Sequence, residues 1–444
     1  MKKEFLKTLV IAIPLIISNV SQIALGLIDS AMIGAIDYRQ LAASALAINM
    51  LAIPQILCIG MTMAISPLVA IANGKQDHGA ASRVLYNGVW LCTIITAIIV
   101  AAVLLSKNLM TKLGQDTEVV RLALPYYQVM ACSLIPMIIF TAIKQFCDAL
   151  EFTKTAMVLA LLSLPLNALL NWIFIYGHLG LPRLELVGTG IATLITRLIM
   201  AVTLAVIVYR HKLFQPYIQQ RYYAWKIDGR SWKELLQIGI PSSIQYGLES
   251  GAFAVSGIMI GWLGATTQAA HQIALNLAST TFMAALGLSL AGSIRVSNAY
   301  GRNDLTELKI IGKSTILGSL VYGSVCALLF VLFQDYLPYL FTSNPEVVSL
   351  AAGLMVLGAL FQISDATQAI GVGLLRGVRD VKLPTAFVAI AYWAIGLPAG
   401  YYLAFHMGMG ASGIWIGFIA GLTTSSILLN LRFIRKSHIP VAVA

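Results

Sequence analysis

Residues 240–304 begin IPSSIQYGLESGAFAVSGIMIGWLG (Ile240–Gly264), pass through QAAHQIALN (Gln268–Asn276) and close with SIRVSNAYGRND (Ser293–Asp304). Shifted by 227 residues, this stretch lies on Ile13–Asp77 without a gap. Pro241 then meets Pro14, Gly261 meets Gly34, Asn276 meets Asn49 and Asp304 meets Asp77. Seventeen of the 65 pairs are identical, where this composition gives about five or six by chance, so the chain carries an internal repeat. It reads as two copies of one unit.

That unit belongs in a membrane. Of 444 residues, 59% are hydrophobic and 11% charged. A soluble domain has about 25% charged residues, and water does not tolerate so apolar a surface. Runs of about 20 apolar residues match a hydrocarbon core of about 30 Å at about 1.5 Å per residue. The expected fold is an all-α integral membrane protein with twelve transmembrane helices. They are read at 8–34, 41–72, 82–105, 121–148, 156–176, 187–209, 235–262, 267–299, 307–332, 346–375, 385–404 and 411–434. Runs longer than 25 residues imply tilt, kinks or extension beyond the bilayer. The first run flows into the repeat and so reads as part of the fold, not as a cleavable signal. The five cysteines (Cys58, Cys92, Cys132, Cys147, Cys326) lie inside apolar runs without metal-like spacing and read as packing residues.

A net charge of +11 invites a nucleic-acid partner, but its placement assigns it to topology instead. Alternate connections hold 23 of the 29 basic residues, and the opposite loops hold five: Arg39, Lys107, Lys112, Arg121 and Arg183. By the positive-inside rule both termini and the polar 210–233 link are cytoplasmic. An even number of spans per copy gives both copies the same orientation. The expectation is two six-helix bundles, 1–209 and 234–444, related by a pseudo-two-fold axis along the membrane normal.

Acids inside spans are costly and mark function or pairing. Asp29 lies near the outer end of span 1. Asn167 and Asn171, one helical turn apart on span 5, and Thr189, which opens span 6, sit at the same depth. A carboxylate, two amides and a hydroxyl offer oxygens to a hard cation, or hydrogen-bond partners to a protonatable acid. The competing reading is that they tie helices together. Glu249 and Asp365 fall near the middle of spans 7 and 10, where a side chain reaches water least easily. There they either exchange a proton or cation or serve as neutral helix–helix hydrogen bonds. Their charges are not repeated: Glu249 aligns with Gln22, and Asp29 with Ser256. His271 and Gln272 open span 8, where packing and a functional role both remain open. Arg197 pairs with a carbonyl or points to an aqueous crevice. Asp148, Glu151 and Lys154, with Arg376, Arg379 and Asp380, fall near equivalent cytoplasmic helix ends, as ion pairs or solvated ends. No nucleotide loop, metal cluster or nucleophile constellation appears, so no enzyme activity, cofactor or structural metal is expected.

At these residues the chain resembles the multidrug and toxic compound extrusion (MATE) family, NorM-type branch. PLIISNVSQIALGLIDSAMIG resembles the first-helix signature, and LPLNALLNWIF the helix-5 pattern. AAHQIALN, SIRVSNAYG and FQISDATQAIGVGLLRGVRD resemble the blocks of helices 7 to 10. The resemblance spans nearly the whole chain. It implies a cation or proton site in the first bundle at Asp29, Asn167, Asn171 and Thr189, and an acidic pair, Glu249 and Asp365, in the second. Some members have tyrosine one turn before the helix-10 aspartate; here Phe361 stands there, and a hydroxyl ligand for Na⁺ is missing.

The function expected is secondary active export of organic, often cationic compounds in exchange for H⁺ or Na⁺. The expected setting is a bacterial inner membrane, with the protein acting as a monomer. Phe361, Gln362, His271, Gln272 and Asn276 are expected at the substrate cavity. A lipid-linked sugar flippase of the same superfamily is an alternative, but it needs basic cavity residues where the deep residues here, apart from Arg197, are acidic. An ion channel is an alternative of another class and would pass current without counter-flux. Topology is directly testable: single cysteines placed at Tyr222 and Thr267 should label from opposite sides of the membrane, and labelling from one side would refute twelve spans.

Overall fold

The computed structural model describes residues 2–112, 114–218 and 226–438; part of the 210–233 link, Tyr222 included, lies outside them. Among the described residues twelve long helices follow one another: α1 (Lys2–Gly34), α2 (Tyr38–Gly74), α3 (His78–Leu105), α4 (Thr117–Ala149), α5 (Thr153–Tyr176), α6 (Glu185–Arg210), α7 (Gly229–Gly261), α8 (Ala265–Gly301), α9 (Leu305–Leu332), α10 (Pro345–Gly377), α11 (Lys382–His406) and α12 (Gly410–Lys436). Each expected span has its helix, with ends moved by at most six residues. All but α7 are long and apolar enough to cross a membrane. α7 has the length, 33 residues, but carries Ser242, Ser243, Gln245, Glu249 and Ser250 in its middle. Exposed Leu27, Ile53, Ile98, Leu162, Val321 and Leu328 show the outward apolar faces that a lipid-facing helix needs.

Local chemistry sets the helix ends. Asp37, Asp77, Asp116, Asp304 and Asn344 cap α2, α3, α4, α9 and α10 by accepting from first-turn N–H groups. The repeat is visible at this level. Gln76 and Asn303, 227 residues apart, both take φ +59°, and the following Asp77 and Asp304 accept from Ala80 N at 2.8 Å and Glu307 N at 2.9 Å. α11 contains two π-helical segments, Ile390–Gly396 and Tyr402–His406, around Pro398, which lacks the N–H that a regular helix would use.

The chain divides into two compact units, Ile17–Ser243 and Met1–Ile16 with Ile244–Ala444. Their edges differ from the 1–209 and 234–444 division because α1 and α7 each contribute residues to both. In the second unit the Arg295 guanidinium pairs with the Glu4 carboxylate and donates to Glu4 O at 2.6 Å and Thr8 Oγ1 at 2.8 Å. In the first unit Ser243 Oγ donates to Leu57 O at 2.9 Å. A Cβ on Gly60 would lie 2.4 Å from Ser243 Cα, so the two backbones meet there. The core of the first unit gathers Leu51, Val103, Tyr126, Tyr127, Leu134 and Leu186. In the second, α10 packs on α8, α9 and α12.

α11 and α12 meet through glycines. A Cβ on Gly417 would stand 2.5 Å from Gly396 O and from Gly400 Cα, and one on Gly421 2.5 Å from Ala391 O. Small residues at four-residue spacing allow this approach, which in lipid replaces the hydrophobic drive to associate. Gly417→Val should therefore cost about 1–3 kcal/mol by forcing the helices apart. The expected outcome is a lower thermal unfolding midpoint in detergent; an unchanged midpoint would refute the close packing.

Candidate functional site

Asp29 lies on α1, about five residues before its end at Gly34. Its side chain is enclosed by α5 and α6. Asn171 Nδ2 donates to Asp29 Oδ1 at 2.7 Å and to Asn167 Oδ1 at 3.1 Å. Thr193 Oγ1 donates to Asp29 Oδ2 at 2.9 Å, and Asn167 Nδ2 reaches Thr193 Oγ1 at 3.5 Å. The four side chains form a closed ring in which both carboxylate oxygens accept. All four are buried, with Asp29 5% exposed. Asn171 Oδ1 and Thr189 Oγ1 are buried with no hydrogen-bond partner among the described residues.

The structure thus brings Asp29, Asn167 and Asn171 together, whereas Thr189 donates nothing to Asp29. Thr193, one turn further along α6, makes that contact. The sequence carried a signal for it, since Thr189, Thr193 and Arg197 recur at four-residue steps on one helix face. Arg197 Nη1 donates to Ser133 Oγ at 2.6 Å, a hydroxyl partner rather than a carbonyl. The oxygens gathered here are those of Asp29, Asn167, Asn171 and Thr193. Among the described residues no group of three or more His, Cys, Asp or Glu side chains is placed to hold a metal ion.

In the second unit, Glu249 Oε1 accepts from Gln245 Nε2 at 3.1 Å and from Gln368 Nε2 at 3.0 Å. Tyr392 OH donates to Gln368 Oε1 at 3.3 Å. Asp365 is buried on α10, one turn before Gln368, and shares no hydrogen bond with Glu249 among the described residues. Around it, Ser364 bonds Thr423 at 2.7 Å and Ser426 donates to Thr367 Oγ1 at 2.6 Å, tying α10 to α12.

Phe361 is buried among the rings of Phe253, Trp415 and Phe418, with centroids at 6.2, 5.5 and 6.5 Å. Trp415 Nε1 donates to His271 Nδ1 at 3.2 Å, which leaves the ring proton on Nε2, itself buried without a partner among the described residues. Gln362 Oε1 accepts from Thr281 Oγ1 at 2.8 Å. Gln272 and Asn276 are not gathered with Phe361; both are exposed, and Gln272 Nε2 donates to Asn276 Oδ1 at 3.1 Å. Near the ends of α4 and α10, Asp148 pairs with Lys144 at 2.8 Å and Asp380 with Arg432 at 2.7 Å.

The MatE family model matches residues 14–173 and 241–402, one block in each copy of the repeat. The chain is 31% identical to the multidrug resistance protein NorM of Aliivibrio fischeri, covering 100% of this chain and 97% of that protein. It is 34% identical to a probable multidrug resistance protein NorM of Bradyrhizobium diazoefficiens, covering 97% and 93%. It is 33% identical to the multidrug resistance protein MdtK of Yersinia pseudotuberculosis, covering 96% and 94%. Its fold is that of a multidrug resistance MATE family transporter solved in an outward-facing conformation, with TM-score 0.89 and 21% identity over 98% of this chain and 96% of the other. The eukaryotic MATE transporter AtDTX14 superposes with TM-score 0.86 and 21% identity over 98% of each chain.

The ring around Asp29 separates two neighbouring threonines. Thr193→Val keeps the shape but removes the donor to a buried carboxylate, at a cost of about 1–3 kcal/mol. Thr189→Val removes a buried hydroxyl that has no partner among the described residues, which is neutral or stabilising. Thermal unfolding of the purified variants should therefore show a lower midpoint for Thr193→Val only.

Proposed function

Because the chain belongs to the MatE family, we propose that it is a secondary active efflux antiporter that exports organic, often cationic compounds in exchange for H⁺ or Na⁺. It is a multi-pass membrane transporter and not an enzyme. The observation that carries the antiport reading is the closed ring around Asp29: a buried carboxylate supplied with donors and oxygens from α5 and α6. The full-length relatives named multidrug resistance proteins support the cargo class. The setting proposed is the bacterial cytoplasmic membrane, with both termini inside and the protein acting as a monomer.

A coupling site must be charged in one state and neutralised in another, because only a difference in affinity between states can drive exchange. Asp29 with Asn167, Asn171 and the two threonines fills that role in this reading. Glu249 and Asp365 form the second acidic set, which takes part in proton or cation exchange and offsets the charge of a cationic cargo. The exposed amides of Gln272 and Asn276, with His271, Phe361 and Gln362, are proposed to face that cargo.

Asp29→Asn keeps the size of the side chain and removes its titration. In proteoliposomes with pH and Na⁺ gradients imposed separately, it should abolish gradient-driven export while the protein remains folded and inserted. Asn171→Ala should reduce export less, since the charge remains. Export by Asp29→Asn at the wild-type rate would make Asp29 structural and move the coupling carboxylate to Glu249 or Asp365.

A further inference from the structure

The second unit holds a chain of side-chain hydrogen bonds across three helices that ends on one atom. Tyr392 OH of α11 donates to Gln368 Oε1 of α10; Gln368 Nε2 donates to Glu249 Oε1 of α7. Gln245, one turn before Glu249, donates its own Nε2 to the same Oε1. No donor among the described residues reaches Glu249 Oε2. The carboxylate is thus presented unevenly, one oxygen holding two amide donors and the other holding none.

We infer that Gln368, oriented by Tyr392, is a positioning residue for Glu249, and that with Gln245 it turns Oε2 outward as the oxygen that meets a cationic cargo. This rests on the reading of Glu249 as a cargo-facing acid. The chemistry follows from the donor inventory. A glutamine amide has one acceptor oxygen and one donor nitrogen, and a phenol that donates to the oxygen leaves the NH₂ directed at the carboxylate. Such charge-assisted bonds restrict rotation of the carboxylate and are stronger than neutral ones. Gln368 and Tyr392 are both buried. The Tyr392 ring also packs edge-on against Phe253 at 5.9 Å, so its hydroxyl direction is set by packing. Asp365 lies one turn from Gln368 on the same helix and takes no part in the chain of bonds. The residues beside it, Ser364 and Thr367, tie that stretch of α10 to α12.

A double-mutant cycle on the full-length protein separates positioning from mere packing. The probe is tetraphenylphosphonium, and the readout is its Kd for the purified protein, with thermal unfolding recorded for every variant. Gln368→Leu should weaken binding about tenfold, the size expected for losing a donor to a charged group. Tyr392→Phe keeps the ring and should weaken it by a smaller factor. In the Glu249→Gln background neither substitution should weaken binding further by more than about twofold, and Tyr392→Phe should add nothing to Gln368→Leu. If Glu249→Gln weakens binding but the loss from Gln368→Leu persists undiminished beside it, the positioning role is overturned and Glu249 keeps its role. If Glu249→Gln binds the cation as tightly as the native protein, the cargo-facing reading of Glu249 falls, and the positioning role with it.

Discussion

An ionised carboxylate surrounded by hydrocarbon costs several kcal/mol unless the protein supplies what water would. That constraint organises the first unit. Asp29 is reached by Asn171 and Thr193, which stand on different helices, and Asn167 links those two donors to each other. Placing two donors from different helices on one carboxylate fixes the rotation of α5 and α6 about their axes relative to α1. The small residues of α6, Gly188 and Gly190, let its backbone approach closely enough: a Cβ at Gly188 would lie 2.6 Å from Phe174 O. Packing and polar chemistry therefore specify the same arrangement.

The repeat has kept its punctuation and changed its chemistry. The αL residue and aspartate cap recur with nearly the same dihedrals at Gln76–Asp77 and Asn303–Asp304. The same is true of the helix ends at Glu151, φ +61°, and Arg379, φ +62°. Caps and turns answer to backbone geometry, which the two copies share. The polar residues inside the spans are not bound by that shared geometry, and they differ: Asp29 has Ser256 at its equivalent position, and Glu249 has Gln22.

The helices were legible in the sequence because in lipid every backbone group must be satisfied within its own segment, so long apolar runs have one outcome. The depth of Asp29, Asn167 and Asn171 was legible too, since distance from a helix end can be counted. What counting along the chain could not choose was the partner across helices. Thr189 and Thr193 share a face, and only the rotation and tilt of α6 decide which hydroxyl meets the carboxylate. Gln368 and Tyr392 escaped notice for a similar reason: an amide and a phenol in apolar helices look like isolated polar residues until the fold aligns them. The edges of the two units were hidden as well. The repeat marks where helices begin, whereas Arg295 reaching Glu4 and Ser243 seated on Gly60 decide which unit each half-helix joins.

Asp29 and Glu249 are held in different ways, and the difference bears on what each can do. Asp29 has both oxygens engaged in a closed ring, so any cation that binds there must displace or share a donor from α5 or α6. Its occupancy is thereby tied to the placement of those helices. Glu249 is partly buried and has its donors stacked on one oxygen, so a cation that meets the second oxygen need not break the existing bonds. On the proposed reading the first arrangement suits a site whose filling must be felt by the helices around it. The second suits a site that must admit cargoes of varied shape while the protein around it stays in place.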